Sequence, residues 1–133
     1  LEPTIFLCYQ TAFSASSEAL RDELQAILEK LNPKSRIPLS LKESHRLTDG
    51  PVRLDSALMR SIRQSLLFIA DTTAIAAAPS DPQQLIPSPA VCVEVGYALQ
   101  CKRSEQILIA QMERSELPGQ FPFDVPGQNR LVF

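Results

Sequence analysis

The 133-residue sequence is short of histidine, glycine and long apolar runs, and each shortage removes a class of function. A single histidine, His45, cannot supply the usual His/Cys zinc sets or a Ser/His/Asp triad. Four glycines, at 50, 96, 119 and 127, form neither GxGxxG nor a Walker A loop, so no glycine-rich turn cradles phosphate. GxSxG and HExxH are missing as well. The cysteines, Cys8, Cys92 and Cys101, are odd in number and form no CxxC pair. Free, buried or half-buried thiols in a reducing cytoplasm are therefore expected, with no disulfide framework and no metal. No apolar run approaches the roughly 20 residues that span a bilayer. With 13 basic against 15 acidic residues, the net charge of -2 gives no reason to expect nucleic acid or an anionic membrane as partner. The opening LEPTIFLCYQ has no basic leader and no initiator Met, and the end, RLVF, reads as a strand. Residues 1–133 read as a single domain excised from a longer protein.

What is present is an ordinary core: 44% of residues are hydrophobic, enough for one domain. TIFLCY (4–9) predicts a buried strand. SEALRDELQAILEKL (17–31) repeats Leu20, Leu24, Ile27, Leu28 and Leu31 at helical spacing, with Ser16 or Ser17 as cap and Asn32-Pro33 as stop. SRIPLSL (35–41) predicts an edge strand because of Pro38. A polar loop through His45 and Gly50 follows, then a helix over 52–65 striped by Leu54, Leu58, Met59 and Ile62. LLFIAD (66–71) is the clearest strand. The connection TTAIAAAPSDPQQLIPSP is long enough to imply a mobile or functional loop. A third helix spans about 89–101, with Ser88 at its cap and Pro89 in its first turn. QILIAQ (106–111) and NRLVF predict the last strands. The order implies an α/β, three-layer open sheet of about five mostly parallel strands, with helices on both faces.

Ligands in such sheets bind beyond the carboxyl ends of the strands, where the strand order reverses. That singles out Tyr9, Gln10 and Phe13 after the first strand, Asp71 and Thr72 after the third, and the loop after Gln111. On the third helix Val91, Cys92, Val95, Ala98 and Leu99 share the core arc, and Glu94 falls at its border. A carboxylate in so apolar a segment costs free energy unless it is paired, protonated or useful. Half desolvated near a helix N-terminus, Glu94 can serve as nucleophile or general base. It can equally be a helix acid paired with Lys102 or Arg103. Gly96 would let a neighbouring backbone approach. Asp71 has two readings, a pocket acid and a cap for its own turn, and His45 reads as a solvated loop residue.

IAD (69–71), PAVCVEVGYA (89–98) and QILIAQ (106–111), with TIFLCY before them and FPFDV (121–125) after, resemble the TIR-like nucleotide-binding domains of bacteria. The set is also similar to the related, flavodoxin-like nucleoside 2-deoxyribosyltransferases. The resemblance implies a pocket for a nucleotide or nucleoside, with NAD or a related nucleotide as substrate or ligand and no tightly bound cofactor. It implies Glu94 acting at the anomeric carbon of ribose, Asp71 as a pocket acid, and Tyr9 near the base or ribose by strand position. Tyr97 belongs to the same Glu-x-Gly-Tyr-Ala motif. Bacterial relatives often carry Asn-Pro-Asn where this chain has Ser88-Pro89-Ala90, and QTAFSASSE lacks an evident charged pair. Either departure implies an altered ligand choice or a loss of activity. Self-association and a role in antiviral defence are implied by the same resemblance, with a nucleotide-sensing or assembly module as the alternative to an enzyme.

Overall fold

The computed structural model describes residues 1–46, 51 and 53–133. Strands β1 (Glu2–Cys8), β2 (Ser40–Glu43), β3 (Ser65–Asp71), β6 (Ile107–Gln111) and β7 (Arg130–Val132) form one sheet in the order β2-β1-β3-β6-β7. Every pairing in it is parallel. This is the α/β open sheet that the order of elements implies. Side-chain alternation along the strands builds two cores. Phe6, Cys8, Phe68, Ala70, Ile107 and Ile109 point to one face, where they meet Ile62 of α2 (Ser56–Gln64) and Val91, Val95 and Ala98 of α3 (Pro89–Cys101). Ile5, Leu7, Ile69 and Ala110 point to the other, under Leu20 and Leu28 of α1 (Ser14–Leu31). Phe6 and Phe68 are register partners with stacked rings 6.0 Å apart. Among the described residues no helix is long and apolar enough to cross a membrane.

Several local expectations shift. Helix α1 begins at Ser14, three residues before the predicted start, and its N-cap position is Phe13, with no side-chain cap. Ser16 and Ser17 are buried and serve a different acceptor, described below. Strand β2 starts late because the Asn32 amide occupies the backbone of Leu39, donating to its carbonyl and accepting from its N–H, each at 2.8 Å. The strand does lie at the sheet edge. Helix α2 starts at Ser56, where Asp55 Oδ1 accepts from the Leu58 N–H at 2.9 Å. The predicted loop through Gly50 and helix start at Val52 lie outside the described residues. Ser88 stands at the α3 N-cap without a side-chain bond, and Pro89 occupies the first turn.

The long connection after β3 is not a structureless loop. It folds into an antiparallel hairpin of β4 (Ala76–Ala78) and β5 (Asp81–Ile86). That hairpin is pinned from outside: Gln120 N–H donates to the Gln83 carbonyl at 2.6 Å, and Leu85 N–H to the Gln120 carbonyl at 3.2 Å. Here a glycine is required. A Cβ on Gly119 would lie 2.6 Å from the Gln83 carbonyl oxygen and 2.8 Å from Leu85 Cδ2. Gly119→Ala is therefore expected to cost about 1–3 kcal/mol in urea unfolding, since the obstruction is backbone. Gly96 is the opposite case, because a Cβ there meets nothing within 4 Å. No backbone approaches it, contrary to expectation, and Gly96→Ala should stabilise α3 by about 0.5–1 kcal/mol.

The crossover from β6 to β7 carries only a short 3-10 turn, Gly127–Asn129, where doubly wound sheets commonly place a helix. Phe121 and Val125 of this crossover cover the α3-side core. An apolar cavity of about 600 Å³ remains beside them, between Cys92, Gly96 and Leu99 of α3 and Pro122–Pro126.

Candidate functional site

With the hairpin set aside, the strand order is the doubly wound 2-1-3-4-5 pattern, which reverses between β1 and β3. The segments leaving those two strands are where the sequence placed its candidates. Asp71, the last residue of β3, is fully buried. Its Oδ2 accepts from Ser16 Oγ and Ser17 Oγ, both at 2.6 Å, and from Gln10 Nε2 at 3.2 Å. Its Oδ1 accepts from Thr73 Oγ1 at 2.6 Å and from the Thr73 N–H at 3.1 Å. Five donors thus converge on one carboxylate. The turn-capping reading of Asp71 holds, and the acid also ties β3 to the first turn of α1. Gln10 completes the knot, its Oε1 accepting from the Phe13 N–H at 2.6 Å and its amide donating to the Phe13 carbonyl. Thr72 is equally occupied, since its hydroxyl donates to the Ala110 carbonyl at 2.9 Å.

Glu94 is buried outright, 0% exposed, and not half desolvated as its helical position implied. The reason is tertiary. The segment after β2 folds down over α3, with Ser44 N–H bonded to the Leu7 carbonyl at 3.1 Å. Ser44 Oγ donates to Glu94 Oε1. Arg46 Nη1 stands 2.6 Å from Glu94 Oε2, and the arginine side chain is only 4% exposed. This contact lies off the hydrogen-bond line, an ion pair and not an aligned hydrogen bond. The partner is neither Lys102 nor Arg103. Lys102 lies at the far end of β3, donating to the Ser65 carbonyl, and Arg103 sits in solvent beside Glu105.

Cys8, the last residue of β1, lies against this pair, with Arg46 Nη2 3.8 Å from its sulfur. Burial first, then the adjacent Glu94 carboxylate, push its thiol well above the ordinary range, with Arg46 opposing. A thiol so placed is a neutral neighbour and not a nucleophile.

The aromatic candidates lie under guanidinium groups. Tyr9 is flanked by Arg21 and Arg46, whose Cζ atoms stand 5.1 and 5.6 Å from the ring centroid. Arg46 Nε also donates to the Tyr9 carbonyl at 3.0 Å. Phe13 lies beneath Arg114 at 3.9 Å, and that arginine donates to the Ala74 carbonyl at 2.8 Å. Tyr97 is elsewhere. Its hydroxyl accepts from Arg63 Nη1 at 3.1 Å, at the end of α2 that leads into β3. His45 is exposed, as expected.

The structure therefore brings Tyr9, Gln10, Phe13, Asp71, Thr72 and Glu94 to one rim and leaves Tyr97 out. Sequence reasoning missed Ser16, Ser17, Ser44, Arg46 and Arg114. For Arg46 there was a usable signal: an acid in an apolar helix needs a cation, and β2, parallel to β1, delivers the residues directly after it to the same rim. Among the described residues no three His, Cys, Asp or Glu side chains converge to hold a metal ion. The 600 Å³ cavity is lined by other residues than Glu94.

Fold and site together define an open parallel α/β domain with a buried, paired acid close to the end of β1. Comparison of the chain with protein-family models, curated proteins and solved structures finds no match in any of the three.

Proposed function

We propose that this is a TIR-like domain that takes a nucleotide over the carboxyl ends of β1 and β3, and that Glu94 acts at the N-glycosidic bond of NAD or a related nucleotide. The observation that supports it is the Glu94 carboxylate at this rim, desolvated and held by a loop arginine (Arg46) and a loop hydroxyl (Ser44). A loop can yield where a strand cannot. With Arg46 displaced, one Glu94 oxygen faces C1′ of the ribose. The C1′–N bond breaks, and its electron pair leaves with the nicotinamide ring nitrogen, cancelling that nitrogen's positive charge. No general acid is required, which suits a chain with one exposed histidine. Glu94 either bonds to C1′ or shields the oxocarbenium-like cation until water or another acceptor adds; any C1′–Glu94 bond then breaks, freeing the carboxylate, and the proton shed by the acceptor passes to solvent. Three free thiols fit a reducing cytoplasm, the setting that the defence reading also requires.

A second reading has its own support. Glu94 is fully enclosed and engaged on both oxygens, which favours a nucleotide sensor or self-assembling module that never frees it. Incubation with NAD, run across a range of protein concentrations so that self-association is included, separates the two. Nicotinamide release by the parental chain, abolished in a folded Glu94→Gln variant, is the enzymatic result. Release at the parental rate from that variant removes Glu94 from the chemistry. Thermal stabilisation by NAD with no release at any concentration is the sensor's result.

A further inference from the structure

Nucleotides and bare nucleosides share the glycosidic bond; they differ in phosphate. We infer that Arg46 exchanges Glu94 for a ligand phosphate, so that the site accepts nucleotides bearing phosphate or pyrophosphate and refuses nucleosides. This rests on the rim being the ligand site, as proposed above.

Among the described residues, Arg46 is unevenly satisfied. Nη1 is paired with Glu94, Nε with the Tyr9 carbonyl, but Nη2 has a thiol 3.8 Å away, a weak acceptor at long range. A guanidinium is a planar fork suited to two parallel bonds to a phosphate. The Glu94 contact does not use that fork, because one nitrogen meets one oxygen off the bonding line. A phosphate thus offers Arg46 better geometry than its resident partner. The surroundings supply further charge. Arg21 flanks the same Tyr9 ring, and Arg114 lies over Phe13 across the rim. Arg21 is itself shared with Glu43, at a partly exposed pair that a ligand can reach.

The exchange couples binding to chemistry. Drawn to phosphate, Arg46 no longer neutralises Glu94, which keeps the Ser44 hydroxyl on Oε1 and presents Oε2 to the ribose. A nucleoside gives Arg46 nothing in return, since opening the pair would leave a cation and an anion without partners. The latch therefore reads phosphate before it releases the acid.

The test compares NAD, nicotinamide riboside and inorganic pyrophosphate by calorimetry and thermal shift. Three chains are used: the parental protein, Arg46→Lys, which keeps the buried pair neutral, and Arg21→Gln, which lies outside that pair. NAD is expected to bind at least tenfold more tightly than the riboside, with pyrophosphate competing against NAD. Arg46→Lys should reduce the NAD preference severalfold, and Arg21→Gln should reduce it by less. Equal binding of NAD and riboside, with no competition from pyrophosphate, would overturn the exchange and leave the glycosidase reading intact. An unchanged preference in both variants would overturn it too. Pyrophosphate binding without NAD binding would keep the phosphate site and remove the glycosidase reading. Failure of all three ligands to bind would remove both.

Discussion

Asp71→Ala is expected to lower the unfolding free energy by about 3–5 kcal/mol, and the midpoint of thermal unfolding by roughly 10–15 °C. The carboxylate accepts from Ser16, Ser17, Gln10 and twice from Thr73, and it is wholly out of solvent. Alanine removes the one acceptor these groups share. A buried donor without a partner costs about 1–3 kcal/mol, and the hydroxyls can recover part of it by rotating to nearby carbonyls. Asp71→Asn keeps one acceptor oxygen and should cost about half as much. Urea unfolding followed by circular dichroism reads both. A loss under about 1 kcal/mol for the alanine variant would mean that α1 docks without this knot. The larger loss would make Asp71 a positioning residue, one that fixes the Gln10–Phe13 turn and thereby the rim.

Glu94 and Arg46 should show the second large effect, and it is one of non-additivity. Glu94→Leu alone leaves a buried guanidinium unpaired, and Arg46→Met alone leaves a buried carboxylate unpaired. Each is expected to cost about 3–5 kcal/mol, toward the lower figure for Glu94→Leu because Arg46 keeps its bond to the Tyr9 carbonyl. Together they replace an ion pair by two apolar side chains of similar volume, and the stability should return to within about 1 kcal/mol of the parent or exceed it. Denaturant curves on the four chains of the cycle give the coupling directly. The double variant also separates stability from function. Folded, yet without the carboxylate, it should release no nicotinamide from NAD. Additive losses would show that the two side chains are not paired in solution, and the latch would have to be abandoned.

Lys102 shows how position decides the role of a charge. It lies two turns beyond Glu94 on the same helix and was one of its candidate partners. The structure puts its amine on the carbonyls of Ser65 and Arg63, at the opposite rim of the sheet. Burial lowers its pKa from the ordinary lysine value. The helix runs along the strands, so Glu94 in its second turn and Lys102 at its C-cap serve opposite ends of the sheet.

Short apolar runs and helical periodicity together determined the layered fold. TIFLCY, LLFIAD and QILIAQ each carry a short continuous apolar run, the mark of a strand buried on both faces, and the observed bounds differ from the predicted ones by only a residue or two. The third helix was equally legible from Pro89 and the Val91, Val95, Ala98 spacing. The hairpin was not, because Ala76–Ala78 has no strand signal of its own and β5 is held by Gln120, far along the chain. The burial of Glu94 was hidden for the same reason. A helical wheel gives the direction in which a side chain leaves its helix, and nothing about which loop closes over it. Local patterns are written in neighbours three or four residues apart. The Arg46–Glu94 pair spans 48 residues and exists only once β1, β2 and α3 are assembled. Partners so distant are chosen by packing, and packing is what the tertiary structure adds.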